Sequence, residues 1–196
     1  MSSSASELSG TTHASAQQSA DFVFPPHYSF PPFFTLQPNP LTRSSQLASW
    51  ETLILTYCRH HRIFQLSIVE SFNTPLFTNA SINRKLAIPD IRAVLEYMAS
   101  SEGGNRAEWT DKTKSRAWVW WRKPEEWADV IYQWIEGTGQ KGSVLTVYEL
   151  SQGDSTRGSD LHDLDPEVMN KSLAVLVKRG KAQIFGEGEA KGVKFF

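Results

Sequence analysis

Few side chains in this sequence combine the residue types and spacing that chemistry needs. The one cysteine, Cys58, sits in an apolar helical pattern with no partner for an intrachain disulfide. His60 and His61 are adjacent, so on a helix their rings diverge by about 100° and do not suit a single ion. No further His or Cys has ligand spacing, and no metal site is expected. The pairs Glu125-Glu126 and Asp163/Asp165 fall in first-turn positions, where carboxylates stabilise helix dipoles without any acid–base role. The GEGEAKG turn at 186–192 would turn two glutamates toward a phosphate, the wrong charge for a phosphate loop. No catalytic residue and no cofactor is predicted, so the chain is not expected to be an enzyme.

The aromatic and proline side chains are a different matter. Residues 22–34 read FVFPPHYSFPPFF, seven aromatic rings in thirteen positions. Pro25-Pro26-His27-Tyr28 fits a PPxY pattern, and Pro31-Pro32-Phe33-Phe34 repeats it with phenylalanine last. Proline fixes φ and removes a donor, which predicts an extended segment, neither helix nor central strand. Such a segment loses little entropy on docking, and its rings can fill apolar pockets. Those rings need burial, either in a partner or by folding back on the chain's own first module.

The elements that must carry this arm follow from apolar spacing. Trp50, Leu53, Ile54, Tyr57 and Cys58 recur at i, i+3, i+4, i+7 and i+8, predicting a helix from near Leu41. A short second helix is expected from Pro75 to about Arg84, and Ile91, Val94, Leu95 and Met98 mark the face of a third. Strands are expected at Ala107–Trp109 and Ala117–Trp121. The order then repeats. Trp127, Val130, Ile131, Trp134 and Ile135 show the first helix's spacing 77 residues on, counted from Trp50 to Trp127. Residues 143–150 read as a strand running into a second helix. Asp165 and Pro166 suit an N-cap and N1 for a third helix with Met169, Leu173, Leu176 and Val177 on its apolar face. Strands at Lys181–Phe185 and Gly192–Phe196 close the half. Three helices followed by a hairpin is the winged-helix plan. The fold class is therefore α+β, two tandem winged-helix domains preceded by an extended Pro/aromatic arm. The expected divisions are a disordered tail at 1–21, the arm at 22–40, domain 1 at 41–122 and domain 2 at 123–196.

Charge excludes the usual work of winged helices. Net charge over the 196 residues is −1, and from Lys123 onward nine Lys/Arg face twelve Asp/Glu. DNA binding needs several cationic phosphate contacts, so no nucleic-acid partner is expected. No apolar run approaches the roughly 20 residues a spanning helix requires, and residues 1–20 lack a secretory h-region. A cytosolic chain is expected. Trp118 and Trp120 should share one face of their strand and Trp121 the other, which makes the WVWWRKPEEW segment the expected contact between the modules.

Several runs together carry a resemblance: PPHYSFPPFFTLQPNPLTR, the Trp50–Cys58 helix, RKPEEWADVIYQWI, SVLTVYELSQGD, HDLDPE and the terminal GVKFF. Over residues 22–196 they resemble the small, two-copy subunit family of the endosomal sorting complex ESCRT-II, within the vacuolar protein sorting proteins. The resemblance implies an assembly of two copies with one copy each of two larger winged-helix subunits. It implies docking by the arm and first domain, with Pro25, Pro26, Tyr28, Pro31, Pro32, Phe33 and Phe34 as the partner-binding residues. It also implies that the second domain recruits the first ESCRT-III subunit for multivesicular-body sorting of ubiquitinated cargo. The chain would then be cytoplasmic, peripheral to the endosomal membrane and in contact with it only indirectly. An adaptor whose PPxY motif is read by a WW-domain ubiquitin ligase is the alternative. That recognition needs the tyrosine, so Phe34 would contribute little to it.

Overall fold

The computed structural model describes residues 21–186 and 191–196. The tail expected over 1–21 lies outside the described residues except for Asp21, as do positions 187–190 of the Gly/Glu-rich turn. Helix α1 runs Pro40–His60. Its start is set by Asn39, whose Oδ1 accepts from the Leu41 and Thr42 amides at 3.0 and 3.2 Å. Trp50, Leu53, Ile54, Tyr57 and Cys58 are all buried, as their spacing requires. The helix stops at Arg62, which takes a left-handed φ of 52° while the Ile63 amide returns to the Cys58 carbonyl at 2.8 Å.

The short second helix is not where the sequence reading puts it. Residues 75–84 hold instead a two-stranded ribbon, β2 (Thr78–Asn79) against β3 (Arg84–Lys85), with Asn83 left-handed at the bend. The helix lies earlier, as α2 (Ile68–Ser71) directly after strand β1 (Gln65–Ser67). Ser67 caps it, accepting the Glu70 amide. Four residues are too few to show helical periodicity. The signal lay in the repeat, because Leu66-Ser67-Ile68-Val69-Glu70 matches Leu145-Thr146-Val147-Tyr148-Glu149. Helix α3 (Ile88–Ala99) buries Ile91, Val94, Leu95 and Met98, and β4 (Ala107–Trp109) and β5 (Arg116–Val119) form the hairpin.

The second half repeats this arrangement: α4 (Pro124–Gly137), β6 (Val144–Thr146), α5 (Val147–Gln152), α6 (Pro166–Lys178), β7 (Ala182–Phe185) and β8 (Gly192–Phe195). Thr146 and Glu149 make a capping box at α5. Asp165 caps α6 through the Glu167 and Val168 amides at 2.8 and 3.2 Å. Val177, expected on the apolar face of α6, is 41% exposed, and Val168 is buried in its stead. That face is set by Val168, Met169, Ser172, Leu173 and Leu176, one step round the helix. Each half folds its helices onto an antiparallel three-stranded sheet, ordered β1-β5-β4 and β6-β8-β7. The chain is two winged-helix domains in tandem.

The halves meet through β5. Ala117 and Val119 enter the first core, while Trp118 and Trp120 enter the second together with Phe64. Trp118 and Trp120 stack in parallel, 5.4 Å between centroids, and Lys171 of α6 lies over the Trp120 ring and binds Glu108 at 3.1 Å. Arg62 donates to the His162 carbonyl at 2.8 Å and Arg122 pairs with Asp160 at 2.8 Å. Exposed pairs of this kind contribute at most about 1 kcal/mol each, so the buried indoles set the contact. Trp120→Ala should therefore lower the stability of the whole chain by about 3–5 kcal/mol, measured by urea unfolding. Both halves should still unfold in one transition for the native sequence.

Candidate functional site

The arm is not extended. Each Pro-Pro pair starts a 3-10 turn, Pro26–Ser29 and Pro31–Phe34, closed by Tyr28 N–H to Pro25 O at 2.9 Å and Phe33 N–H to Phe30 O at 2.9 Å. The expectation of an extended segment fails because proline's fixed φ suits a first helical turn equally well, where its missing donor costs nothing.

These turns fold back on the first module. The ring of Phe33 stacks on Trp50, with centroids 4.3 Å apart and planes at 10°. The Phe33 carbonyl accepts from Trp50 Nε1 at 3.0 Å and from Gln46 Nε2 at 2.8 Å. Gln46 Nε2 also reaches the Thr35 and Pro32 carbonyls at 3.0 and 3.2 Å, while its Oε1 accepts the Gln37 amide at 3.0 Å. One buried amide thus satisfies several polar groups of the arm's backbone. At the other turn, Tyr28 donates its hydroxyl to the Pro75 and Thr78 carbonyls, and Asn79 Nδ2 donates to the Tyr28 carbonyl at 2.8 Å. Burial pushes the Tyr28 phenol up to about 12. Phe24 stacks on Tyr28, and Phe22 meets Tyr57 and His60 edge-on.

The residues predicted to bind partners therefore divide by side. Tyr28, Phe33 and Phe34 are 6%, 5% and 2% exposed within the chain's own core, which corrects the expectation that their rings are free to fill a partner's pockets. Pro26, Pro31 and Pro32 are exposed and Pro25 is half-buried. Phe30, absent from the predicted set, is 59% exposed and joins Pro32 at the rim of an apolar groove beside Gln37, Thr42, Ser45 and Ser49 of the arm and α1. Sequence reasoning also missed Gln46 and Asn79. Gln46 stands four residues before Trp50, on the same helix face, and a polar residue there is a legible sign of a buried acceptor to satisfy. No comparable sign marks Asn79.

The groups weighed for catalysis are committed elsewhere. Cys58 is fully buried and its thiol pushed far up by desolvation, which suppresses the thiolate. Glu126 holds Arg106 at 3.0 Å and the Lys123 amide at 2.6 Å. Among the described residues no group of three or more His, Cys, Asp or Glu is placed to hold a metal ion, and no described helix is long and apolar enough to cross a membrane.

Comparison with known proteins gives a consistent family. The profile described as ESCRT-II complex subunit matches residues 27–165. Vacuolar protein-sorting-associated protein 25 of Xenopus laevis is 46% identical over 175 residues, 89% of this chain and 99% of that protein. The Homo sapiens protein of the same name is 44% identical over 175 residues, covering 89% and 98%. The crystal structure of subunit VPS25 of the endosomal trafficking complex ESCRT-II superposes with a TM-score of 0.75 at 28% identity, over 88% of this chain and 98% of that one. A chain of the ESCRT-II crystal structure (VPS22/VPS25/VPS36) gives 0.73 at 29% identity, over 87% and 98%.

Two consequences for the isolated chain follow from the arm's geometry. Phe33→Ala should lower its unfolding free energy by about 3–5 kcal/mol, read by urea titration, because the ring is part of the first module's own core. Tyr28 should also make the arm's hold alkali-sensitive. Its raised value means that the folded state keeps the proton longer than the unfolded chain does. The stabilisation is complete below the ordinary phenol range near pH 10 and is lost as pH rises toward 12. Limited proteolysis after residue 21 at stepped pH would register that release, and Tyr28→Phe should remove the step.

Proposed function

The chain belongs to the ESCRT-II complex subunit family, and from that premise we propose that it is a non-catalytic scaffold subunit of the endosomal sorting machinery. Its arm and first domain dock on two larger winged-helix subunits, the counterparts of VPS22 and VPS36 in the related complex. Two copies of this chain join one copy of each. Its second domain, taken as beginning at Lys123, faces outward and recruits the first ESCRT-III subunit for multivesicular-body sorting of ubiquitinated cargo. The complex works in the cytoplasm at the endosomal surface, and this subunit meets the membrane only through its partners.

The observation that carries the docking half of the proposal is the two-sided arm. Its inner rings hold it to Trp50 and Tyr57, while Val23, Pro26, Phe30, Pro31 and Pro32 lie exposed along its outer side. An exposed ridge of this kind, rigid before binding, loses little entropy on association. Pro26, Pro31 and Pro32 thus act directly, and Pro25, Tyr28, Phe33 and Phe34 act by holding the ridge in place. The reading as a WW-domain ligand has less support, since that mode needs an extended proline helix with an available tyrosine, and Tyr28 is enclosed in a turn.

Inner and outer substitutions should separate cleanly. Phe30→Ala combined with Pro31→Ala should weaken binding of the two larger subunits by about ten- to a hundredfold, measured by titration calorimetry. Thermal unfolding of the isolated chain should be unchanged. Native binding by this variant would place the docking surface elsewhere on the first domain.

A further inference from the structure

The corner between α5 and α6 differs from its counterpart in the first domain by one missing ring. The repeat aligns Ile68 with Val147 at the start of the short helix, and the buried Leu86 with the buried Leu164 just before the third helix. By that alignment Phe72 corresponds to Ser151 and Lys85 to Asp163. In the first domain the corner is filled from within. Phe72 packs against the core, while Lys85 lies over its ring at 4.2 Å and donates to Asn73 Oδ1 at 2.6 Å.

In the second domain the same corner is an open groove of about 860 Å³. Ser151 brings no ring to it and turns its hydroxyl back to the Val147 carbonyl at 3.0 Å. Val147, Leu164 and Pro166 give the groove an apolar lining. Tyr148, 65% exposed, joins them, as does Lys191, whose ammonium donates to Asn170 Oδ1 at 3.2 Å. Asp163 also lines it, at the position where the first domain keeps the Lys85 ammonium. The Asp163 amide is tied to the Ser151 carbonyl at 2.8 Å. Its carboxylate meets, among the described residues, only the ring of His162, with Nε2 at 3.9 Å. The neighbouring Asp165 is committed to capping α6.

We propose that this groove binds a short segment of a partner protein that carries an aromatic side chain next to a lysine or arginine. The ring takes the place that Phe72 fills in the first domain, and the cation meets Asp163. The occupant follows from the repeat and from charge. The first domain supplies both the ring and the ammonium itself, whereas the second supplies the cradle, with a carboxylate where the ammonium stood. Apolar contact gives the affinity, and the charge pair selects a basic neighbour over an acidic one. The chain's own first 20 residues contain no Phe, Tyr, Trp, Lys or Arg, so they do not match the groove. A carboxylate at this place also repels a phosphate backbone. The inference is independent of the ESCRT-III recruiting role and stands or falls separately from it.

The test titrates capped Gly/Ser peptides, each with a central Phe-Arg, Phe-Glu or Ala-Arg pair, into the isotope-labelled full chain and follows amide resonances by NMR. The Phe-Arg peptide should shift Ser151, Asp163 and Asn170 saturably, and the other two should bind at least about tenfold more weakly. Ser151→Phe restores the ring of the first domain, so it should abolish the shifts and keep native thermal unfolding. Asp163→Asn is nearly isosteric and suits the left-handed φ of 57° at this position. It should weaken the Phe-Arg peptide about tenfold and erase its advantage over Phe-Glu. If Ser151→Phe does not fold, the Asp163→Asn comparison decides alone. Absence of saturable shifts at these residues, equal binding of the three peptides, or native affinity in the Asp163→Asn chain would overturn the proposal. A second copy could offer Lys194 and Phe196, whose ammonium and ring lie 5.7 Å apart. Shifts that grow with the concentration of the chain alone and vanish in Phe196→Ser would make that copy the occupant, and would overturn the proposal as well.

Discussion

The carbonyl of Phe33, held jointly by the indole of Trp50 and the amide of Gln46, is the contact from which the order of the arm follows. A segment rich in prolines has few backbone donors, so its carbonyls must find side-chain donors wherever they are taken out of water. Trp50 and Gln46 supply them one helical turn apart on α1, and the stack of Phe33 on Trp50 buries both rings around the bond. Loss of either donor would leave this buried carbonyl with a single hydrogen bond, at a cost of about 1 kcal/mol. The repeat shows how specific this is. Trp127, the counterpart of Trp50, has Arg122 over its ring at 4.4 Å, but its Nε1 has no hydrogen-bond partner among the described residues. The second domain has no arm to offer it a carbonyl.

The same economy governs the junction between domains. β5 alternates, and its two faces serve two cores, with Ala117 and Val119 on one side and Trp118 and Trp120 on the other. A domain whose sheet is buried on both faces cannot turn independently of the neighbour that covers it. Arg62 fits this view. It holds a left-handed conformation at the end of α1, where Gly139 stands at the end of α4, and its guanidinium spans to the loop before α6. The backbone strain of a non-glycine residue there coincides with a bond between domains. The shared strand and this bond together hold the two domains at one angle.

Much of this was legible in the residues. Long helices announced themselves through Trp50–Cys58 and Trp127–Ile135, the α6 cap through Asp165-Pro166, and the domain contact through the alternation of Trp118 and Trp120. The failures share a cause. α2 is four residues long and leaves no period to read, while the ribbon at Thr78–Lys85 has tertiary support from the fully buried Leu76, Phe77 and Leu86, which local sequence does not display. The arm was recognised by composition, but its conformation was misjudged because proline's φ is shared by extended chain and by helical turns. Which side of the arm faces inward depends on donors contributed by Gln46 and Asn79, 13 and 51 residues away from the carbonyls they hold. Such distant pairings lie beyond any pattern within the arm.

The central claim is that the arm is already folded onto the first domain before any partner arrives, and that partners read only its outer side. Hydrogen exchange followed by mass spectrometry on the free chain, resolved over residues 22–37, tests it most directly. The account predicts slow exchange at the Tyr28, Phe33 and Gln37 amides, which donate to Pro25, Phe30 and Gln46, in the absence of the larger subunits. It also predicts little further slowing at those three when the subunits are added. Exchange at the rate of an unstructured peptide in the free chain, becoming slow only on assembly, would contradict it.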